Sequence, residues 1–298
     1  MMAADSHNYV FGRTLNPNKL TLTAGGSTGG EGALIKMRGS VLGVTTDIAG
    51  SNRIPALCNG IASFKPTAGR TPFTGKVPPG RLGAPSSILP VIGPTAHTVR
   101  DLELFLKTII DAEPWNFDEL VLAVPWRRVE PVTTPLRFGM IRGHPKRPLH
   151  PTIARALHEA AQSLKSAGHS VVLLDDKIPD LYDSGVLAWK YFLLDPQKTP
   201  AKHLAASEEP PVPSLARCCP QELRGWEPSL DNLFDMNVER AKVVKKYHDL
   251  YRQERLDAVI MPGYQATAVP HDAYGVPIYT VLQNLLNVSD CKHFLEPD

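Results

Sequence analysis

Residues 24–67 read AGGSTGGEGALIKMRGSVLGVTTDIAGSNRIPALCNGIASFKPT, and the fold and chemistry of the chain are argued from this stretch. Its first part, Gly25-Gly26-Ser27-Thr28-Gly29-Gly30-Glu31-Gly32, sets glycines on both sides of two hydroxyl residues. Glycines let a backbone adopt positive φ and approach another group closely. A phosphate loop of the G-x-x-x-x-G-K-[ST] type would need a lysine at its end, and none stands there. The dinucleotide pattern G-x-G-x-x-G is unmet as well, because Gly30-Glu31-Gly32 is followed by Ala33-Leu34-Ile35. By itself the loop leaves a functional turn and a plain flexible connection equally open.

The second part, Thr46-Asp47-Ile48-Ala49-Gly50-Ser51-Asn52-Arg53-Ile54-Pro55, follows a short apolar, β-branched run at Leu42 to Thr46 that reads as a buried strand. A serine on a tight turn between strand and helix can point its Oγ into a cleft. The N–H groups just before it can aim at the same spot, which is what an oxyanion hole requires. The competing reading is a serine helix cap.

Outward from this region the sequence predicts an α/β chain. A helix over Val99 to Asp111 starts at a capping-box-like Thr98 and carries apolar residues at 99, 102, 105, 106, 109 and 110. Arg137 to Ile141 reads as a strand, Pro151 to Ala167 as a helix closed by Gly168, and Ser170 to Leu174 as a strand. Strand, helix, strand is the α/β order. Helices are expected around Asp180 to Leu194 and over Leu230 to Arg255, and a buried strand over Leu256 to Met261. Residues 66–94 and 195–220 read as loops, and Asn287 to Asp298 breaks from any pattern.

Composition narrows the class. The 298 residues carry 32 basic and 30 acidic side chains, a balance that argues against nucleic-acid or membrane-surface binding. No run approaches the ~18 apolar residues of a membrane-spanning helix. Met1 to Arg13 lacks the pattern of a secretory signal. Cys58, Cys218, Cys219 and Cys291 show no metal-ligand spacing; the adjacent Cys218 and Cys219 read as reduced thiols of an intracellular protein, and a cytoplasmic location is expected. No metal and no cofactor is expected.

In this order and spacing GGSTGGEGALI, GSVLGVTTDIAGSNRIPA and FKPT resemble the amidase signature family. The flanking Asp5-Ser6-His7-Asn8, Gly12-Arg13-Thr14-Leu15-Asn16-Pro17 and the stretch Pro262 to Asp272 (PGYQATAVPHD) are similar to its fungal acetamidase or general-amidase branch. The resemblance implies the amidase-signature fold: α/β, with a large mixed β-sheet core and helices on both faces. It implies a single domain over residues 1–298, incomplete at both ends. The implied activity is cleavage of small carboxylic amides to acid and ammonia through an acyl-serine intermediate. Ser51 would be the nucleophile. Ser27, after a non-proline cis peptide, would pass the proton onward. The N–H groups of Ile48, Ala49, Gly50 and Ser51 would form the oxyanion hole. Gly25, Gly26, Thr28, Asp47 and Arg53 would support the site, Asp47 and Arg53 by tying down the turn. The implied partner is a small amide substrate, with a homodimer left open.

One departure bears on activity. A serine hydroxyl is a weak nucleophile until a base takes its proton, and the resemblance calls for a lysine upstream of the glycine-rich loop. The one lysine before Ser27 is Lys19, eight residues away and in a different context, while Lys36 and Lys65 stand downstream. The sequence therefore predicts an impaired hydrolase. The alternatives are a non-catalytic amidase-like binding protein and an acyl or amide transferase.

Overall fold

The computed structural model describes residues 3–77, 80–83 and 87–292. Parts of two readings, the loop over 66–94 and the tail from Asn287, lie outside the described residues. The chain begins with a small hairpin, β1 (His7–Asn8) and β2 (Gly12–Arg13), and enters helix α1 (Gly29–Lys36). Strand β3 (Leu42–Asp47) leads to helix α2 (Arg53–Asn59), strand β4 (Ala62–Lys65), strand β5 (Val91–Ala96) and helix α3 (Val99–Asp111). Then come β6 (Arg137–Met140), α4 (Pro151–Ser166), β7 (Ser170–Leu173), α5 (Leu181–Phe192), α6 (Thr199–Ala206) and α7 (Leu230–Gln253). The described part closes with β8 (Ala258–Ile260), α8 (Ile278–Leu286) and β9 (Asp290–Lys292).

The class is α/β. Beyond the β1-β2 hairpin, antiparallel and parallel pairing are divided between two sheets: an antiparallel sheet in the order β3-β5-β4-β9 and a parallel sheet in the order β7-β6-β8. Several elements stand where the residues predict them. Thr98 caps α3 by accepting from the Asp101 N–H at 3.2 Å. Gly168 takes φ of 89° just past α4. Ser229 and Asn232 form a reciprocal capping box at the start of α7.

Among the elements that were not read, four are instructive. Strand β5 holds Pro94 opposite Val44 in the middle of its sheet, although a proline normally argues against a central strand. Helix α6 lies in the stretch 195–220 expected to be loop. Strand β9 exists through pairing with β4, Lys65 opposite Asp290 and Phe64 opposite Cys291. Helix α8 is buried from Ile278 to Leu285 on every side. Its polar Thr280, Gln283 and Asn284 share one face yet are buried as well, so the pattern does not mark a solvent side. It packs against α5 in the main core, where Leu181, Trp189, Tyr274, Ile278, Tyr279 and Leu285 meet.

Candidate active site

The glycine-rich loop and the serine turn come together. The peptide bond between Gly26 and Ser27 is cis. The Thr28 N–H donates to the Ser51 carbonyl oxygen at 3.3 Å, which ties one hydroxyl-bearing segment to the other. Ser27 and Ser51 are both half-buried. Gly26, Ile48, Ala49 and Ser51 line a pocket together with Ala4, Trp189, Cys218 and Pro277. Its cavity of about 20 Å³ has room for about one ordered water.

The glycine-rich loop is held from the N-terminal side. Ser6 Oγ sits 3.1 Å from the Gly25 carbonyl oxygen and 3.0 Å from that of Ser27, and accepts from the Gly29 N–H at 2.8 Å. Gly26 has no room for a side chain: a Cβ there would lie 2.4 Å from the Asp5 nitrogen. The Asp5 carboxylate accepts from Thr23 Oγ1 at 2.5 Å and from the Asp272 N–H at 2.9 Å. Thr23 Oγ1 in turn accepts from the Gly25 N–H at 2.9 Å.

The serine turn is held from below by buried charge. Asp47 Oδ1 accepts from the Gly50 N–H at 2.9 Å, and Oδ2 from the Asn52 N–H at 3.3 Å. Arg53 donates to both Asp47 oxygens, at 2.8 and 3.0 Å. Its remaining N–H groups reach Asn284 Oδ1 at 2.6 Å, Gln283 Oε1 at 2.9 Å and Asp290 Oδ2 at 3.0 Å. All five guanidinium N–H groups thus have acceptors, as a fully buried charge needs. Burial by itself would raise the Asp47 carboxyl, but the Arg53 charge and hydrogen bonds override it and hold it below the usual range. Lys65, also buried, donates to the Pro66 carbonyl at 3.0 Å. Burial and then the Arg53 charge bring its ammonium down to about 8.

Of the four N–H groups expected to face an oxyanion, that of Gly50 is bonded to Asp47. Those of Ile48, Ala49 and Ser51 donate to no protein acceptor among the described residues. Ala49 keeps a backbone without positive φ, which its methyl group tolerates, while Gly50 takes φ of 124°.

Residues of α8 went unnoticed in the sequence. Thr280 Oγ1 donates to the Ala49 carbonyl at 2.7 Å, and Asn284 Nδ2 donates to Asp47 Oδ1 at 3.0 Å. The signal was present as a polar pair four residues apart, one helical face, inside an otherwise apolar segment.

A family model described as Amidase matches residues 1–292. An amidase of Gibberella moniliformis is 35% identical over 289 residues, covering 96% of this chain and 54% of its own length. An acetamidase of Aspergillus oryzae is 32% identical over 307 residues, with the same two shares of 96% and 54%. Among solved structures, a fatty acid amide hydrolase superposes with a TM-score of 0.88 at 31% identity, over 97% of this chain and 51% of that one. A bacterial aryl acylamidase of the amidase signature family shares the fold, with a TM-score of 0.74 at 21% identity over 98% of this chain and 63% of its own. The chain spans about half the length of the curated relatives it matches. With the cis Gly26–Ser27 bond and the shared pocket of Gly26 and Ser51 in place, this match means that the chain belongs to the amidase family.

Proposed function

We propose that this chain carries the acyl-transfer site of an amide hydrolase acting on small carboxylic amides. Ser51 Oγ attacks the amide carbon, and Ser27 passes the Ser51 proton onward. The N–H groups of Ile48, Ala49 and Ser51 receive the developing oxyanion. The proton returns to the leaving nitrogen, which departs as ammonia, and water then releases the acid from the acyl-serine. The observation that carries this reading is the pocket that Gly26 and Ser51 line together. The amidase and acetamidase relatives support the substrate class. The thiols of Cys58, Cys218 and Cys219 are free, in keeping with a cytoplasmic setting.

The relay needs a final base. Among the described residues no lysine is hydrogen-bonded to Ser27 or Ser51, and Lys65 is committed to Pro66 and the Asp47–Arg53 pair. Loss of one member of an acyl-transfer constellation lowers kcat by ~10⁴–10⁶, so this 298-residue chain alone should turn amides over slowly. This absence of a bonded base favours a second reading, a binding protein that keeps the pocket without catalysis. A fluorophosphonate probe followed by peptide mass spectrometry separates the two. Slow labelling at Ser51, abolished in Ser51→Ala, supports the hydrolase. An unlabelled Ser51 in a chain that still binds amides supports the binding protein.

A further inference from the structure

The pocket beside Ser51 is small and largely apolar. Ile48, Ile54, Trp189, Cys218 and Pro277 line it, and its cavity of about 20 Å³ holds one water-sized group. Among the described residues that line it, no side chain is charged. Trp189 is the largest side chain of this wall and the one that α5 contributes. Its indole is buried. Phe192 packs edge-on against it, with ring centroids 5.4 Å apart and an interplanar angle of 80°. Gly185, one turn before Trp189 on the same side of the helix, lets α5 approach α8: a Cβ there would lie 3.0 Å from Ile278 Cγ2. Thr280 of α8 in turn donates to the Ala49 carbonyl at 2.7 Å. Helix α5 and the serine turn are thus fixed against one helix, and the packed surroundings leave the indole little room to swing aside.

On the acyl-transfer reading of Ser51, on which this assignment rests, the leaving nitrogen departs as ammonia and brings no substituent that needs a pocket. The space beside Ser51 then has only the acyl substituent to receive. We propose that Trp189 is the specificity-determining residue of this site: its indole ends the acyl pocket after a methyl- or ethyl-sized group. Acetyl and propionyl amides are then the substrates, and longer aliphatic or aromatic acyl groups are turned away. A methyl group is close to a water in size and fills the cavity. A hexanoyl chain or a phenyl ring has to displace the indole, and overfilling a packed interior is unfavourable. An acyl group that carries its own carboxylate is turned away as well, because the uncharged wall leaves that charge unpaired.

The p-nitrophenyl esters of acetic, propionic, hexanoic and benzoic acid test the proposal on the 298-residue chain. With each ester Ser51 Oγ bonds to the acyl carbon as the bond from that carbon to the phenol oxygen breaks. The p-nitrophenolate leaves with the electron pair, and the Ser51 proton passes to solvent. A phenolate departs without being protonated, so acylation is readable without a strong general acid. Peptide mass spectrometry gives the rate of adduct formation at Ser51 and separates it from any adduct on Cys218, each rate being divided by that of the ester's spontaneous hydrolysis. The wild-type chain takes acetyl and propionyl at least about tenfold faster than hexanoyl or benzoyl. Trp189→Ala and Trp189→Leu raise the hexanoyl-to-acetyl ratio by about tenfold or more, and Trp189→Phe raises it less. A general loosening of the core slows all esters alike and leaves this ratio unmoved. Trp189→Leu keeps an apolar side chain in the core, and the wild-type series needs no variant, so a Trp189→Ala chain that fails to fold does not remove the test. A wild-type chain that takes hexanoyl as readily as acetyl, or a folded Trp189→Leu chain with the wild-type ratio, overturns the proposal and leaves the acyl-transfer reading standing. No Ser51 adduct from any of the esters overturns that reading and the proposal with it.

Discussion

The Arg53 guanidinium and the Asp47 carboxylate form a two-pronged ion pair in which neither side chain has any solvent exposure. Removing one partner of such a pair leaves the other buried and uncompensated, at a cost of about 3–5 kcal/mol. Arg53→Ala should therefore lower the urea-unfolding free energy by about that much. Asn284→Ala, which removes one neutral member of the same network, should cost about 1–3 kcal/mol. Equal effects of the two variants, or an Arg53→Ala chain as stable as wild type, would contradict the arrangement described.

Lys65 gives the fold a signature in alkali. Its folded-state pKa is lowered from 10.5 to about 8. Below about 8 both folded and unfolded chains hold the proton, and the cost of a buried ammonium is fully present. Between about 8 and 10.5 this lysine holds more protons in the unfolded chain than in the folded one, so its contribution to stability rises with pH there, against the opposite contribution of the buried thiols of Cys58 and Cys218. Lys65→Met should flatten this rise. Urea melts of both proteins from pH 7.5 to 9.5, below the ordinary range of tyrosine ionisation at about 10, give the difference. A wild-type curve no steeper than that of Lys65→Met would show that the lysine does not titrate in this window.

Gly50 is fitted to its place twice over. It takes φ of 124°, and a Cβ there would lie 2.3 Å from Thr280 Oγ1. Gly50→Ala should cost more than about 1 kcal/mol, the usual scale for a backbone effect at a compatible site. It should also slow probe labelling of Ser51 by moving the turn. A thermal melt and a labelling time course on one sample measure both effects, and an unchanged melting temperature would refute the steric argument.

Thr280→Val keeps the volume at that contact and removes the hydroxyl that donates to the Ala49 carbonyl. The expected loss of stability is about 1 kcal/mol, with labelling of Ser51 slowed several-fold. Wild-type labelling in Thr280→Val would show that α8 does not position the serine turn through this bond.

The sequence carried the parts of this structure that are locally determined. Thr98 marks the start of α3, and Gly168 the end of α4, because capping is settled within a few residues. The glycine-rich loop and the strand–turn–helix setting around Ser51 are local too, whereas the roles given to Ser27 and Ser51 came from the resemblance to a family. What escaped depends on distant segments. Pro94 stands just beyond Thr95 and Ala96, the two β5 residues that pair with β4, so its missing N–H is tolerable there. Thr280, Gln283 and Asn284 acquire their roles from a turn more than 200 residues earlier. The bond from the Gly50 N–H to Asp47 depends on a loop geometry that residue spacing does not encode.

That long reach has a consequence for how the protein is made. Asp47 and Arg53 leave the ribosome early, whereas Gln283, Asn284 and Asp290 are synthesised last among the groups that satisfy the guanidinium. Until the later segment arrives, the turn bearing Ser51 is missing its floor, and water must serve in place of α8 and β9. The Ser51 turn therefore gains these Arg53 acceptors only once residues 283–290 have been made, and a nascent chain stalled before residue 280 carries the motif without them.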